Sequence, residues 1–243
     1  MNKDIQKYIE KHGFETFCPK AVLFDMDGVL YDSMPLHAVA WQESMAHFGI
    51  EMSHADAYAT EGQRGVDTII QMVRQQRGED ISMEKAQEMY NLKSKLFHSM
   101  PAPPVMPGVK ELMGKMHAER LTIGVVTGSG QRPLIERVLR DFGMYISRDH
   151  IVTAYDVERG KPQPDPYLMG LQKAGGLHPW EAFVVENAPL GVRAGVAARI
   201  FTIAVNTSHL PAGVLEQEGA DMLADDMPAL NQQWETFYSS SSD

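Results

Sequence analysis

Five short apolar runs, each closing on polar residues, constrain this chain more than any other feature. Val22-Leu23-Phe24 leads into Asp25-Met26-Asp27-Gly28, and the run over 121–126 leads into Thr127-Gly128-Ser129-Gly130. Residues 150–154 precede Tyr155-Asp156, Ala182-Phe183-Val184-Val185 precedes Glu186-Asn187, and 200–205 precede Asn206-Thr207. Short apolar runs bounded by turn signals suit buried parallel strands. Helical patterns over 133–142 and 165–174 lie between them. Strands and helices alternating at this spacing imply βαβ units and a Rossmann-like, doubly wound α/β core. In such sheets the chemistry sits at the carboxyl ends of the strands, so the polar residues that follow each run gather on one edge.

The alternation breaks between residues 34 and 104. Amphipathic helices are expected over 35–48, 65–76 and 82–98, with no strand between them, and Pro101-Ala102-Pro103-Pro104 makes a stiff return. The expected division is a core of residues 1–33 and 105–243 around an all-helical insert, 34–104. The serine-rich end, 239–243, is expected to be a disordered tail. Residues 1–19 are left open, a helix lying against the core being one reading. Sixteen methionines fit irregular helix packing and need no functional account.

A formal net charge of −10 over 243 residues argues against general binding to nucleic acid or anionic membrane. No run reaches the length of a membrane span, and the polar first ten residues hold no secretory apolar region. A single cysteine, Cys18, forms no internal disulfide. A cytoplasmic protein, monomeric or weakly oligomeric, that acts on a small phosphorylated molecule is the resulting expectation.

Each run end offers a chemical group. Ionised carboxylates are seldom left at a buried strand end without a metal or another partner, so Asp25 and Asp27 suggest a nucleophile beside Mg²⁺. Asp27 is placed to act as acid and then base. Thr127 and Ser129, in a glycine-rich turn, offer hydroxyls and amides to phosphate oxygens. Lys161, stiffened by Pro162 and Pro164, offers a cation that neutralises Asp25 and a transferring phosphoryl group. Glu186 and Asn187 add oxygen donors for a hard cation. Singly, each reads equally well as a calcium-loop fragment, a tight turn, a loop dipeptide or a helix start. Chance is a poor explanation for the ordered set.

That set, Asp25-Met26-Asp27-Gly28, Thr127-Gly128-Ser129, Lys161-Pro162 and Glu186-Asn187, resembles the haloacid-dehalogenase phosphotransferases, and the insert resembles their type C1 cap. Within them the likeness is to the β-phosphoglucomutase-like group. The resemblance implies Asp25 as nucleophile and metal ligand, and Asp27 as acid/base with its backbone carbonyl on Mg²⁺. It also implies Thr127 and Lys161 as ligands of the transferring phosphoryl group. One departure stands out, because the family usually has Asp where this chain has Asn187. Asn187 either ligates through its amide oxygen, bringing no charge, or caps the next helix.

Glu61-Gly62, in a turn between two insert helices, combined with Glu186-Asn187-Ala188-Pro189-Leu190-Gly191 resembles a narrower branch, the inorganic pyrophosphatases. That likeness implies Glu61 as a metal ligand delivered by cap closure, replacing the charge absent at Asn187. It implies His37, Tyr90 and Lys93 as cap contacts for the leaving phosphate, with Arg64 as another possible contact. On spacing alone these read as well as packing or surface residues; Tyr90 and Lys93, at i and i+3, share a helix face. A Mg²⁺-dependent pyrophosphatase is thus the leading expectation. β-Phosphoglucomutase or a sugar-phosphate phosphatase is the alternative within the family, and a non-catalytic phosphate-binding module the one outside it.

Overall fold

The structure, a computed structural model, describes residues 2–239, so the expected tail lies outside it apart from Ser239. Six parallel strands form one sheet in the order β3-β2-β1-β4-β5-β6: β1 Ala21–Phe24, β2 Thr122–Val126, β3 Ile146–Val152, β4 Ala182–Glu186, β5 Phe201–Val205 and β6 Met222–Ala224. Central β1 is buried throughout and pairs with β2 on one side and β4 on the other. The chain reverses its winding at β1, the switch point at which open α/β sheets bind ligands.

Alternation along the strands divides the core. Val22 and Phe24 face one apolar layer, which also takes residues of α1 (Lys3–His12). That layer is completed from α6 (Val109–Ala118), α7 (Arg132–Phe142) and α11 (Met227–Ser239). Ala21 and Leu23 face the opposite layer, built by α8 (Asp165–Lys173) and α9 (Pro189–Ala197). A short α10 (Val214–Gln217) follows β5. The segment left open at the amino end is therefore a helix seated on the core: Tyr8 is fully buried, and its hydroxyl donates to the carbonyl of Arg199 (2.8 Å).

The third strand begins and ends earlier than expected. Ser147, Arg148 and Asp149 lie exposed in the middle of this edge strand, so its first half carries no apolar signal. Edge strand β6 is apolar but only three residues long, too short to stand out as a run.

Between β1 and α6 lie α2 (Met34–His47), α3 (His54–Ala59), α4 (Gly65–Arg77) and α5 (Met83–Ser99), packed about their own apolar cluster. The six-residue α3 was not expected; Ser53 and Asp56 close its first turn as a capping box. The two connections to the core lie side by side. Tyr31 pairs antiparallel with Val105, Asp32 N–H donates to Pro104 O (3.0 Å), and Met106 N–H donates to Leu30 O (2.9 Å). Among the described residues no helix is long and apolar enough to cross a membrane.

Candidate active site

The first motif leaves the sheet as soon as β1 ends. Asp25 N–H still bonds Val185 O (2.9 Å), after which the chain turns through Gly28 at φ +78°. A Cβ there would lie 2.1 Å from Asn187 Nδ2, so the turn admits only glycine. Asp25, Lys161 and Glu186 then form a dry cluster. Lys161 Nζ donates to Asp25 Oδ1 (2.6 Å), Glu186 Oε1 (2.6 Å) and Val126 O (3.0 Å), which occupies all three of its N–H groups.

Glu186 departs from expectation. Its Oε1 also accepts from the Tyr167 hydroxyl (2.9 Å), and its Oε2 from the N–H groups of Asn187 and Ala188 (2.9 and 3.0 Å). With both oxygens committed to the protein, Glu186 orients Lys161 and the start of α9 rather than offering itself to a metal.

Asp27 meets the insert. Its Oδ1 accepts from Ser33 Oγ (2.6 Å) and His37 Nε2 (3.0 Å), while Lys93 Nζ donates to His37 Nδ1 (2.6 Å). Because Nδ1 receives that bond it carries no proton, so the imidazole is neutral and gives its one N–H to Asp27. The directions agree: burial and the Lys93 charge lower His37. Burial pushes Asp27 up, while the hydrogen bonds from His37 and Ser33 and the Lys93 charge pull it down. Lys93 is brought down to about 8 by burial and stands 4.9 Å over the Trp41 ring.

Glu61 lies between α3 and α4, as expected, and reaches the core. Asn187 Nδ2 donates to Glu61 Oε1 (2.6 Å) and to Ser208 Oγ (3.1 Å). The N-cap of α9 is Ala188, so Asn187 does not cap that helix. Its Oδ1 is buried without a hydrogen-bond partner. Burial raises Glu61 well above the usual carboxylate range; burial likewise raises Asp25 to about 7, against the pull of Lys161 and with the push of Glu186 and Asp27. Among the described residues no three His, Cys, Asp or Glu side chains already form a metal cage. The donor chemistry nonetheless fits a hard divalent cation: crowded buried carboxylates, oxygen donors throughout, and one amide oxygen without a partner.

A cavity of about 60 Å³ separates core from insert, lined by Asp25, Asp27, Thr127 and Ser129 on one side and His37, Glu61, Tyr90 and Lys93 on the other. Thr127 Oγ1 accepts the Ser129 N–H (3.0 Å), which sets the turn after β2. Gln131, which the sequence did not single out as a site residue, bridges to the insert: Nε2 donates to the Tyr90 hydroxyl (2.9 Å) and Oε1 accepts from Ser94 Oγ (2.8 Å). Arg64 does not join the set. Its guanidinium bonds Asp67 (2.7 and 3.1 Å) and the Glu158 carbonyl (2.6 Å), facing away from the cavity, because a carboxylate one turn along α4 holds it.

The seam is tight at Gly128, where a Cβ would lie 2.7 Å from Gly62 O and 3.1 Å from Gln63 O. Gly128→Ala is expected to hold the Glu61 loop away from the core and lower kcat/KM by about 10²-fold, the scale of a 1 Å misplacement. Its melting temperature should change little. Steady-state kinetics beside a thermal melt check this; an unchanged kcat/KM would show that the seam is not closed during turnover.

Residues 22–205 match the family model for haloacid dehalogenase-like hydrolases. The chain is 30% identical to validoxylamine A 7'-phosphate phosphatase of Streptomyces hygroscopicus subsp. limoneus, over 86% of this chain and 94% of the relative. It is 32% identical to hexitol phosphatase A of Escherichia coli, over 77% and 83%. A solved structure from Bacteroides vulgatus, provisionally described as a β-phosphoglucomutase, superposes with a TM-score of 0.95 at 47% identity, covering 99% of this chain and 98% of that one. The chain belongs to the haloacid dehalogenase-like hydrolases, within their β-phosphoglucomutase-like group.

Proposed function

We propose that this protein is a Mg²⁺-dependent phosphohydrolase that works through an aspartyl phosphate on Asp25, with inorganic pyrophosphate as its favoured substrate. The carrying observation is the contact of Glu61 with Asn187, which closes a cavity of about 60 Å³ over the two aspartates. A small, densely anionic substrate suits that space better than a hexose. Residues 34–104 act as the cap, carried on a core of 1–33 and 105–243.

Mg²⁺, when bound, neutralises phosphoryl oxygens and the carboxylates around them; Asp25, the Asp27 carbonyl, Asn187 and Glu61 would hold it. The steps belong to the chain. An Asp25 carboxylate oxygen attacks phosphorus, and the bond to the leaving phosphate breaks. Lys161 screens Asp25 throughout. The leaving phosphate departs as an anion, so this half asks little of an acid, and Asp27 is held ionised by the donors around it. In the second half Asp27 takes a proton from water, the water oxygen attacks the acyl phosphate, and phosphate leaves with Asp25 restored. His37, Tyr90 and Lys93 face the space for the leaving phosphate.

A sugar phosphate is the second reading, favoured by the phosphatases named above and by the 47% identical neighbour. Rates with pyrophosphate and a panel of sugar phosphates under Mg²⁺ decide. The expected result is a kcat/KM for pyrophosphate at least ~10²-fold above any sugar phosphate. Faster turnover of hexose phosphates, or interconversion of β-glucose 1-phosphate and glucose 6-phosphate, would overturn the assignment.

A further inference from the structure

The loop that follows β5 has no part in the chemistry described so far, yet it is pinned in place from several sides. Asn206 N–H bonds Ala224 O (3.0 Å), and the Asn206 amide brackets Leu210 by accepting its N–H (2.8 Å) and donating to its carbonyl (3.0 Å). Thr207 Oγ1 donates to Gly28 O (2.6 Å), which ties the loop to the first motif. His209 sits at φ +51°, a left-handed conformation that a non-glycine residue adopts at a cost. Such conformations persist where the surroundings over-determine them, and they concentrate at functional sites. The residue held between these restraints is Ser208. Its Oγ accepts from Asn187 Nδ2 (3.1 Å) and donates to Glu61 Oε2 (3.3 Å).

We propose that Ser208 is a positioning residue for the cation site: by joining Asn187 of the core to Glu61 of the cap, it holds the second N–H of the Asn187 amide and the second oxygen of Glu61, and so sets how closely Glu61 docks. An asparagine amide has two N–H donors, and here Glu61 and Ser208 take both, so Oδ1 must point the other way. That oxygen is buried without a hydrogen-bond partner. Without Ser208 the second N–H of the Asn187 amide loses its protein acceptor, and Glu61 loses a hydroxyl that holds its second oxygen, so both side chains are held by one bond fewer. Outer partners that orient metal-binding side chains are typically worth 10–100-fold in affinity.

The proposal rests on Glu61 and Asn187 as donors to the cation, and the test separates the two. Mg²⁺ alone is titrated calorimetrically into the full chain and into Ser208→Ala, Ser208→Thr, Glu61→Ala, Asn187→Ala and Glu61→Ala/Ser208→Ala, with a thermal melt of each. Ser208→Ala should bind Mg²⁺ 10–100-fold more weakly at an unchanged melting temperature, and Ser208→Thr, which keeps the hydroxyl, should bind nearly as the parent. The double variant should lose less than the two single losses combined, since part of the Ser208 effect runs through Glu61. If Glu61→Ala and Asn187→Ala weaken binding while Ser208→Ala does not, the positioning role is overturned and the donor set stands. If none of the three weakens it, the donor set fails and the positioning role with it. Equal loss in Ser208→Ala and Ser208→Thr, with lowered melting temperatures, would make Ser208 merely structural and overturn the role as well.

Discussion

Asp25→Asn is expected to abolish turnover, with kcat falling on the order of 10⁵- to 10⁶-fold, the scale that follows removal of a covalent nucleophile. The amide is nearly the same size and leaves the packing at the end of β1 intact. Lys161 keeps Glu186 and Val126 O as acceptors, so the fold should survive. What disappears is the oxygen nucleophile itself, and neither Asp27 nor Glu186 can replace it. Asp27 is engaged by Ser33 and His37, and both oxygens of Glu186 are bound within the protein. Phosphate release from pyrophosphate, together with acid-quench trapping of phosphate on the protein, checks the claim. A variant within 100-fold of the parent rate, or one that still traps phosphate, would remove Asp25 from its role.

Lys161→Ala is expected to have the largest effect on stability. Its ammonium is the cation that Asp25 and Glu186 share in a region without solvent exposure. Breaking a buried ion pair from one side leaves uncompensated charge and costs about 3–5 kcal/mol. For a chain of this size each kcal/mol lowers the melting temperature by roughly 2–4 °C, so a fall of about 10 °C is expected. Activity should fall with it, because Asp25 and the transferring group lose their screening charge. Asp25→Asn/Lys161→Ala should recover part of the lost stability, since the second change removes one stranded carboxylate. Thermal melts of the single and double variants form the cycle. A single variant as stable as the parent would mean that the two carboxylates do not depend on Lys161.

Much of this site was legible in the chain because chemistry at a strand end leaves a fixed pattern. An apolar run must bury, and a reactive group must emerge just after it, so Asp25, Asp27 and Thr127 announce themselves. Lys161 and Glu61 were legible through resemblance and through loop context. Ser208 and Gln131 were not. Each is a lone polar side chain in a loop, and its importance comes from partners that only the folded chain brings near. Arg64 and Glu186 show the converse. Their residue types fit the expected chemistry, but a neighbour on the same helix in one case, and a lysine, a tyrosine and two amides in the other, already satisfy them. In the fold, the buried strands stood out while the first half of β3 did not, because this edge strand carries polar residues on a face that needs no burial, and β6 did not because its apolar run is only three residues long.

The paired connections between core and cap set the geometry of opening. Two chain segments joined by an antiparallel bridge at Tyr31 and Val105 behave as a door on a double hinge: the ribbon bends across its face but resists shear and twist. A swing of the helical insert in one plane is the movement that such a ribbon resists least. A return along that path would bring Glu61 back to Asn187 on the core.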